Sequence, residues 1–304
     1  MRILITGGAG FIGSHLAELF QGRASVRIID NFRTGRRENL QGLDTEFIQG
    51  SILDRSLIHE AVKDVDYVYH LAAMVSVPES LSQPQECVDI NVIGLLNVLE
   101  ESAKARVRKL CFCSSAAVYG NNPSSPKRED MLPEPRSPYA VTKLDGEYYC
   151  NQFAETGRLE TVALRFFNVF GPRQDPNGAY AAAVAIFFQR ALAGKPITIF
   201  GDGGQTRDFI SVKDIVAALE FGATKTGLTG VYNVGYGEQL TVLDLAQRII
   251  ALTESKSHIQ YASERAGDVR HSRANIERLR AAGFQPKGCL QSGLQAMLDF
   301  YRSV

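Results

Sequence analysis

Three glycines near the start of the chain restrict its fold more than any other feature. The apolar run Arg2–Thr6 precedes them, and the helical pattern Phe11–Phe20 overlaps and follows them. Gly7, Gly10 and Gly13 have a GxxGxxG spacing, in which the first permits a tight turn, the second lets backbone amides approach a phosphate, and the third lets the helix lie close to the strand. The helix N-terminus adds partial positive charge there. This order predicts a dinucleotide-binding α/β unit.

The pattern up to about residue 165 extends this α/β prediction to a whole domain. Apolar runs rich in β-branched and aromatic residues alternate with helical patterns. The further predicted strands are Ser25–Asp30, Thr45–Gln49, Tyr67–His70, Lys109–Ser114 and Thr161–Arg165. The further predicted helices are Arg55–Val62, Val88–Arg106 and Pro138–Thr156. Such alternation indicates a parallel sheet with helices on both faces, which is a doubly wound Rossmann fold.

After about residue 166 the chain becomes richer in turns. A helix over Ala181–Leu192, a strand over Gly230–Val234 and a helix over Thr241–Leu252 are predicted there. We therefore expect residues 1–165 to form the Rossmann domain with the catalytic residues, and residues 166–304 to form mainly a smaller C-terminal substrate-binding lobe. Segments at about 205–235 are expected to return to the Rossmann domain.

Charge and cysteine usage exclude several classes of protein. Lys and Arg together number 33, as do Asp and Glu, so there is no basic excess of the kind that nucleic-acid and membrane-surface binders carry. The five cysteines are scattered and form no zinc-ligand spacing, so we expect buried free thiols and no metal. Without a signal-peptide pattern or a run of about 18 apolar residues, a soluble cytoplasmic protein is expected.

Asp30 ends the second predicted strand, about 20 residues after the glycines. A carboxylate at this position accepts hydrogen bonds from both hydroxyls of an NAD ribose and repels the 2′-phosphate of NADP. Arg33 lies nearby and is a residue type that can hold a 2′-phosphate, which keeps NADP as the alternative. We predict NAD as the cofactor.

Tyr139 and Lys143 have a YxxxK spacing, which places both side chains on one face of a helix. An ammonium roughly 5 Å from a phenol favours the phenolate by roughly 3 kcal/mol, which is about two pKa units. Oxidised nicotinamide adds a second positive charge, and with both charges nearby we expect Tyr139 to act as a general base. Ser115, just after the fifth predicted strand, can hydrogen-bond the same substrate oxygen. Ser114 is interpreted as a strand-end hydroxyl that contacts backbone or cofactor.

Seven motifs, in the right order and spread over nearly the whole chain, resemble the extended short-chain dehydrogenase/reductase family. They are TGGAGFIGSHL (6–16), HLAA (70–73), CSSAAVYG (113–120), YAVTK (139–143), LRFFNVFGPRQDPNGAY (164–180), GDGGQTRDF (201–209) and GDVRHS (267–272). Within that family the chain resembles the UDP-hexose 4-epimerases, particularly the branch acting on UDP-N-acetylhexosamines. The resemblance implies a bound NAD⁺ that takes a hydride from C4 of the sugar. The 4-keto sugar then rotates, and the hydride returns to its other face.

The resemblance also implies roles for individual residues. Tyr139 would deprotonate the 4-hydroxyl, Lys143 would bind the nicotinamide ribose, and Ser115 would hold the C4 oxygen. Besides Tyr139 and Lys143, the implied NAD-binding residues are Gly7, Gly10, Phe11, Ile12, Gly13, Asp30, Asn31, Ser51, Ile52, Leu71, Ala72, Ala73, Asn91 and Phe166. Besides Ser115 and Tyr139, the implied substrate-binding residues are Asn168, Ala182, Thr198, Phe200, Arg207, Arg265, Asp268 and Ser272. A homodimer is expected, with the two long helices Val88–Arg106 and Tyr139–Thr156 at its interface.

Two departures from the family pattern and three alternatives bear on these expectations. Ser51 stands where the family usually has Asp next to adenine, which predicts looser NAD retention, and Ala266 replaces a usual Pro.

The family's 4,6-dehydratases carry Asp-Glu, and its decarboxylases a Glu, where this chain has Ala116 and Ala117, so both reactions are disfavoured. A non-catalytic dinucleotide sensor would be free to lose the Ser, Tyr and Lys that remain here. A surface ion pair is the alternative for Arg207 and Asp208.

The position four residues after Asp268 bears on the choice of sugar. In the resembled family a bulky Tyr there admits only hexoses with a plain 2-hydroxyl, whereas a small residue also admits an acetamido group. This chain has Ser272, and the run Pro176–Tyr180 is similar to the N-acetylhexosamine branch. The expected substrates are therefore UDP-GlcNAc and UDP-GalNAc, with UDP-Glc and UDP-Gal also accepted; an epimerase restricted to the plain hexoses is the alternative.

Overall fold

The structure is a computed structural model, and it describes residues 1–176, 183–264 and 269–303. Its strands are β1 Arg2–Thr6, β2 Ser25–Asp30, β3 Glu46–Gln49, β4 Tyr67–His70, β5 Lys109–Ser115, β6 Glu160–Phe166, β7 Asn168–Phe170, β8 Ile197–Phe200, β9 Thr206–Arg207, β10 Phe209–Ser211, β11 Gly230–Val234, β12 Leu240–Thr241, β13 Ile259–Ala262 and β14 His271–Ser272. Its α-helices are α1 Phe11–Leu19, α2 Arg55–Ala61, α3 Val77–Ser82, α4 Pro84–Val88, α5 Gly94–Lys104, α6 Pro138–Glu155, α7 Ala183–Leu192, α8 Val212–Thr224, α9 Val242–Leu252, α10 Glu277–Ala281 and α11 Leu290–Ser303.

The chain divides into two compact units, which we call unit 1 and unit 2. Unit 1 comprises Met1–Val118, Pro135–Phe166 and Val216–Tyr232. Unit 2 comprises Tyr119–Glu134, Phe167–Ile215 and Asn233–Val304. Residues 119–134 thus group with unit 2, although the sequence pattern assigns them to the first domain.

A seven-stranded sheet organises unit 1, in the order β3-β2-β1-β4-β5-β6 with β11 beside β6. The pairings among β1 to β6 are all parallel. The order reverses between β1 and β4, which in doubly wound folds is where a crevice opens at the carboxyl ends of the strands. The predicted Rossmann fold is confirmed.

Most predicted elements of unit 1 end within one or two residues of the observed ones, but the helix predicted over Val88–Arg106 differs. In the structure the helical segment begins earlier, at Pro84, with α4. A π-helical turn, Asp89–Ile93, follows α4, and α5 continues from Gly94. Proline is favoured at the first position of a helix, which explains the early start. The π-helical turn interrupts the ordinary hydrogen-bond pattern at the segment that carries Asn91.

Apolar side chains between the sheet and helices α2, α5 and α6 form the core of unit 1. Leu4, Ile58, Leu95, Leu110 and Phe112 are each no more than 1% exposed. Four of the five cysteines are buried free thiols, as predicted. The prediction is wrong for Cys289, which is exposed because it lies just before α11 rather than in a core strand.

Unit 2 has its own core, made by α7, α9 and α11 packed with β8 and β10. Its short strands form the pairs β10–β7 and β13–β8 and the three-stranded group β12-β9-β14. In the last group Ser272 lies directly opposite Arg207. Among the described helices, none is long and apolar enough to span a membrane.

Candidate active site

The glycine loop lies at the carboxyl end of β1 and contacts the segment that follows β4. Gly7 has a φ of +72°, and a β-carbon on it would lie 2.8 Å from the backbone nitrogen of Ala72. A β-carbon on Gly13 would lie 2.3 Å from the carbonyl oxygen of Gly7. Helix α1 begins directly after Gly10. Because Gly10 has no side chain, it makes no side-chain hydrogen bond to the first backbone N–H groups of the helix. A narrow backbone cradle with helix amides at its base fits the pyrophosphate of a dinucleotide.

Asp30 is buried at the end of β2, with an exposed fraction of 7%. Its two carboxyl oxygens accept hydrogen bonds from the backbone N–H groups of Ala9 (3.0 Å) and Phe32 (2.8 Å). Burial raises the pKa of this carboxyl above its usual value, and the two backbone bonds partly offset that rise. Because a carboxylate can accept about four hydrogen bonds, capacity for two ribose hydroxyls is left.

The structure gives Arg33 a role other than holding a 2′-phosphate. Its guanidinium donates to Glu79 (2.8 Å) and to Glu86. Arg37 lies over the ring of Phe32, 5.3 Å from its centroid. With Arg33 neutralised by two carboxylates, the environment of Asp30 favours NAD over NADP.

Nine other predicted NAD-binding residues of unit 1 fall into four groups. Leu71, Ala72 and Ala73 follow β4, where Ala72 N–H donates to the Thr6 hydroxyl. Phe11 and Ile12 open α1, Ile52 and Phe166 are buried, and Asn31 and Ser51 accept hydrogen bonds from the backbone N–H groups of Arg33 and Leu53.

Asn91 is buried in the π-helical turn, and both ends of its carboxamide are bonded within the protein. The oxygen accepts from Met74 N–H (2.7 Å), and the nitrogen donates to Met74 O (3.0 Å) and Thr142 Oγ1 (2.9 Å). These bonds tie the loop after β4 to the helix that carries Tyr139. This geometry gives Asn91 a positioning role, and its predicted contact with NAD stays a prediction.

Ser115, Tyr139 and Lys143 come together at one end of β5. The hydroxyls of Ser115 and Tyr139 share a hydrogen bond. Ser115 Oγ also accepts from Ala117 N–H (3.1 Å), so the Ser115 proton is left to be donated to the phenolic oxygen. Lys143 Nζ donates to Cys113 O (2.8 Å) and lies 5.8 Å from the centroid of the Tyr139 ring.

Burial dominates the electrostatics of this group. It raises the pKa of Tyr139, an effect that the hydrogen bond from Ser115 partly offsets. It also lowers the pKa of Lys143 to about 8. The two-unit fall in pKa expected from Lys143 does not outweigh burial, so the pKa of Tyr139 lies above its usual value; the contribution expected from oxidised nicotinamide stays a prediction. The Lys143 ammonium is directed at the Cys113 carbonyl, and the removal of the phenol from water outweighs its field.

Unit 2 contains a cavity of about 590 Å³ that unites four predicted substrate-binding residues. They are Asn168, Thr198, Phe200 and Arg207. Sequence reasoning missed the other lining residues, among them Phe187, Arg190 and Gln205, although Gln205 lies inside one of the seven motifs. Ser272 borders this group because β14 pairs with β9. Ala182, Arg265, Ala266, Asp268 and most of the Pro176–Tyr180 run lie outside the described residues.

Asp208 is a buried hub beside the cavity, which excludes the alternative of a surface ion pair with Arg207. Its carboxyl group accepts from the backbone N–H groups of Tyr236 (2.9 Å), Gly237 (2.9 Å) and Ala274 (3.1 Å). Its carbonyl accepts from the side-chain amide of Asn168 (3.0 Å). Burial raises the pKa of Asp208 to about 6. Asp208 therefore holds the side chain of Asn168, which lines the cavity.

Residues 3–235 match the family described as NAD dependent epimerase/dehydratase family. That match covers more than half of the chain. The chain belongs to this family. The predicted resemblance to extended short-chain dehydrogenase/reductases of the UDP-hexose 4-epimerase type is confirmed, as are the predictions of an NAD-dependent isomerase and of NAD as its cofactor.

Full-length relatives resemble the chain closely. A UDP-glucose 4-epimerase from Mycolicibacterium smegmatis is 36% identical, with 100% of this chain and 99% of that protein covered. The solved structure of a UDP-N-acetylglucosamine 4-epimerase from Methanobrevibacter ruminantium in complex with UDP-N-acetylmuramic acid has a TM-score of 0.95 and 38% identity, covering 99% of this chain and 98% of that one. The Thermus thermophilus UDP-glucose 4-epimerase complex with NAD has a TM-score of 0.92 and 36% identity, with complete coverage of both chains.

Proposed function

We propose that this protein is a UDP-sugar 4-epimerase that interconverts UDP-GlcNAc with UDP-GalNAc and also accepts UDP-Glc and UDP-Gal. The observation that carries the proposal is the hydrogen-bonded pair of Ser115 and Tyr139 with Lys143 on the same helix face. The cavity of unit 2 supports it, because aromatic, amide and cationic side chains there suit a base and a diphosphate.

In the proposed mechanism, the three residues that take part in the chemistry all lie in unit 1. Tyr139 takes the proton of the sugar 4-hydroxyl, and Ser115 donates a hydrogen bond to the same oxygen as it becomes a carbonyl. Bound NAD would supply the acceptor and later the donor for the hydride of the sugar C4, which would make the reaction redox-neutral overall. Lys143 would hold the cofactor ribose and stabilise the phenolate form of Tyr139. The phenolate takes the sugar proton and becomes the neutral phenol, and the phenol returns that proton to the C4 oxygen after the keto sugar has rotated.

In unit 2, Arg207 holds the diphosphate, Asn168 contacts it through its amide, and Thr198 and Phe200 flank the uracil. The Arg207 guanidinium donates to Thr206 O (2.8 Å). With the nucleotide held by unit 2, the keto sugar would rotate about its bonds to the diphosphate once its hydrogen bond to Ser115 is released. Rotation presents the opposite face of C4 for the return of the hydride.

The residues beside Ser115 argue against the dehydratase and decarboxylase alternatives. Ala116 and Ala117 begin the 3₁₀ turn that follows β5. Expulsion of a sugar hydroxyl requires an acid and a base next to the departing group, and an alanine side chain moves no proton. The same catalytic residues argue against a non-catalytic sensor.

A coupled assay of the purified holoenzyme with four UDP-sugars tests the proposal. UDP-GlcNAc, UDP-GalNAc, UDP-Glc and UDP-Gal are each supplied, and the C4 epimer is quantified by chromatography. We expect epimerisation of both pairs without net consumption of NAD. Turnover of the plain hexoses alone would favour the restricted epimerase, and no turnover of any of the four would refute the proposal.

Removal of the Asp30 carboxylate should relax the choice of cofactor. Asp30→Ala removes both an acceptor for ribose hydroxyls and the charge that repels a 2′-phosphate. We expect the ratio of activity with NAD to that with NADP to fall at least ~10-fold in reconstituted enzyme, the scale of one lost charged hydrogen bond. Arg33→Ala is the matched control and should leave the ratio unchanged, because Glu79 and Glu86 already hold Arg33. Equal use of both cofactors by the wild type would contradict this role of Asp30.

We also propose a homodimer that forms through the helices around α6. Ile93 and Val141 are 46% and 42% exposed, and Tyr148 on α6 is 58% exposed. An Ile93→Asp/Val141→Asp variant should behave as a monomer in light scattering, because burying two carboxylates in an apolar interface is costly. Leu132→Asp, at an exposed apolar residue of unit 2, is the control and should keep the wild-type mass. A monomeric wild type would rule the dimer out.

The cytoplasmic location stays a prediction.

A further inference from the structure

Helix α6 is tied to strand β5 at three successive turns. Tyr139, Lys143 and Glu147 are spaced by four residues, so their side chains lie on one face of the helix. Tyr139 shares a hydrogen bond with Ser115, and Lys143 donates to Cys113 O. The third residue, Glu147, accepts a hydrogen bond from the Ser114 hydroxyl.

Glu147 differs from the other two because it also binds the next strand of the sheet. Its carboxylate accepts from Arg165 Nε (2.8 Å) and Arg165 Nη2 (2.6 Å) on β6. The side chains of Glu147 and Arg165 are 3% and 4% exposed. Arg165 is the register partner of Ser114, so one carboxylate joins helix α6 to a matched pair of residues on two strands.

We propose that Glu147 is a positioning residue that, through Ser114 and Arg165, sets the register of α6 against β5 and so aligns Tyr139 with Ser115. The proposal rests on the epimerase function and adds a residue to it. Ser114 is the residue directly before Ser115. A shift of α6 by a fraction of a turn would therefore break the Ser114–Glu147 bond and the Ser115–Tyr139 bond together. Misplacement of a reacting group by about 1 Å can cost about 100-fold in rate.

A buried ion pair that served stability alone would behave differently on replacement. Exchange of both partners for apolar residues of similar volume is often neutral or stabilising, whereas removal of one partner leaves an unpaired buried charge. The double variant Glu147→Leu/Arg165→Leu therefore keeps the fold while removing the tether. Ser114→Ala removes only the hydroxyl that links Glu147 to β5 and leaves the ion pair in place.

The experiment compares these two variants with a matched control, Thr161→Val. The Thr161 hydroxyl donates to Cys150 O (2.6 Å) and is a buried tether between β6 and the same helix, one turn further from Tyr139. Melting temperature, kcat and KM are measured on each holoenzyme. We expect kcat to fall at least ~10-fold in the double variant and about 3- to 10-fold in Ser114→Ala, with KM changed less than about twofold. Thr161→Val should keep kcat within about twofold.

A second readout does not depend on turnover. The ultraviolet titration of Tyr139 is isolated as the difference between each protein and its Tyr139→Phe counterpart. Since the bond from Ser115 lowers the pKa of Tyr139, misalignment should move the midpoint upward by at least about half a pH unit. Wild-type kcat and midpoint in a folded double variant would overturn the proposal, as would an equal fall in Thr161→Val. If the wild type turned over no UDP-sugar, the epimerase function would fail, while the titration would still test the alignment.

Discussion

Replacement of Tyr139 by Phe is expected to lower turnover at least ~10²-fold while fold and NAD binding stay intact. The change removes one hydroxyl, and that oxygen is the partner of Ser115 in the buried group at the end of β5. Lys143 is not an alternative base below pH about 8, because its ammonium has no lone pair to accept the proton of the sugar hydroxyl and donates to Cys113 O. The loss should therefore appear in kcat rather than in the binding of substrate.

Tyr149→Phe is the matched control for this prediction, since it removes a hydroxyl from the same helix at a position that is 38% exposed. Turnover, NAD content by absorbance and melting temperature are compared across the three proteins. The control should match the wild type in all three measurements. Near-normal turnover by Tyr139→Phe would remove Tyr139 from the mechanism, and loss of NAD in that variant would assign the phenol to cofactor binding instead.

Local sequence determines the parts of this fold that were predicted well. Strands β1, β2, β4 and β11 begin and end where the apolar runs do, because each run is bounded by turn residues. The glycine spacing likewise reports a backbone requirement, since Gly7 and Gly13 leave no room for a β-carbon. In both cases neighbouring residues in the sequence carry the whole signal.

The parts that were missed depend on pairs of residues far apart in the chain. In the sequence, Asp208 is compatible with a surface charge. In the structure it is buried and accepts hydrogen bonds from the backbone N–H groups of residues 236, 237 and 274. Ser114 was expected to contact backbone or cofactor, yet its partner is the Glu147 carboxylate. The sequence offers a weak signal for such residues, namely a charged side chain within an otherwise apolar strand or helix face, as at Arg165 on β6.

The electrostatic prediction at Tyr139 illustrates the same limit. Spacing alone establishes that a cation lies near the phenol, and it does, with Lys143 Nζ 5.8 Å from the ring centroid. Spacing does not report how deeply the two groups are buried. Burial favours the neutral form of each, so it raises the pKa of Tyr139 and lowers the pKa of Lys143. The bond from Ser115 is consequently more important for Tyr139 than the sequence suggests.

Substitution of Ser272 by Tyr is expected to separate the two substrate pairs. Ser272 is partly buried on β14, directly opposite Arg207, which lines the cavity of unit 2. In the proposed function, a small side chain here would leave room for an acetamido group on C2 of the sugar, and its hydroxyl would donate to the acetamido oxygen. A tyrosine would fill that space, and forcing a group into a filled site costs on the order of 1–3 kcal/mol.

The expected result is a fall of about 10- to 100-fold in kcat/KM for UDP-GlcNAc and UDP-GalNAc, with UDP-Glc and UDP-Gal within about threefold of the wild type. Ser272→Ala is the control, because it keeps the space and removes only the hydroxyl; it should retain both activities and lose part of the preference for the acetylated pair. An equal loss of both activities in Ser272→Tyr would mean that β14 had been distorted rather than the sugar pocket filled. Unchanged turnover of the acetylated pair in that variant would place the acetamido group elsewhere and leave Ser272 without a part in sugar selection.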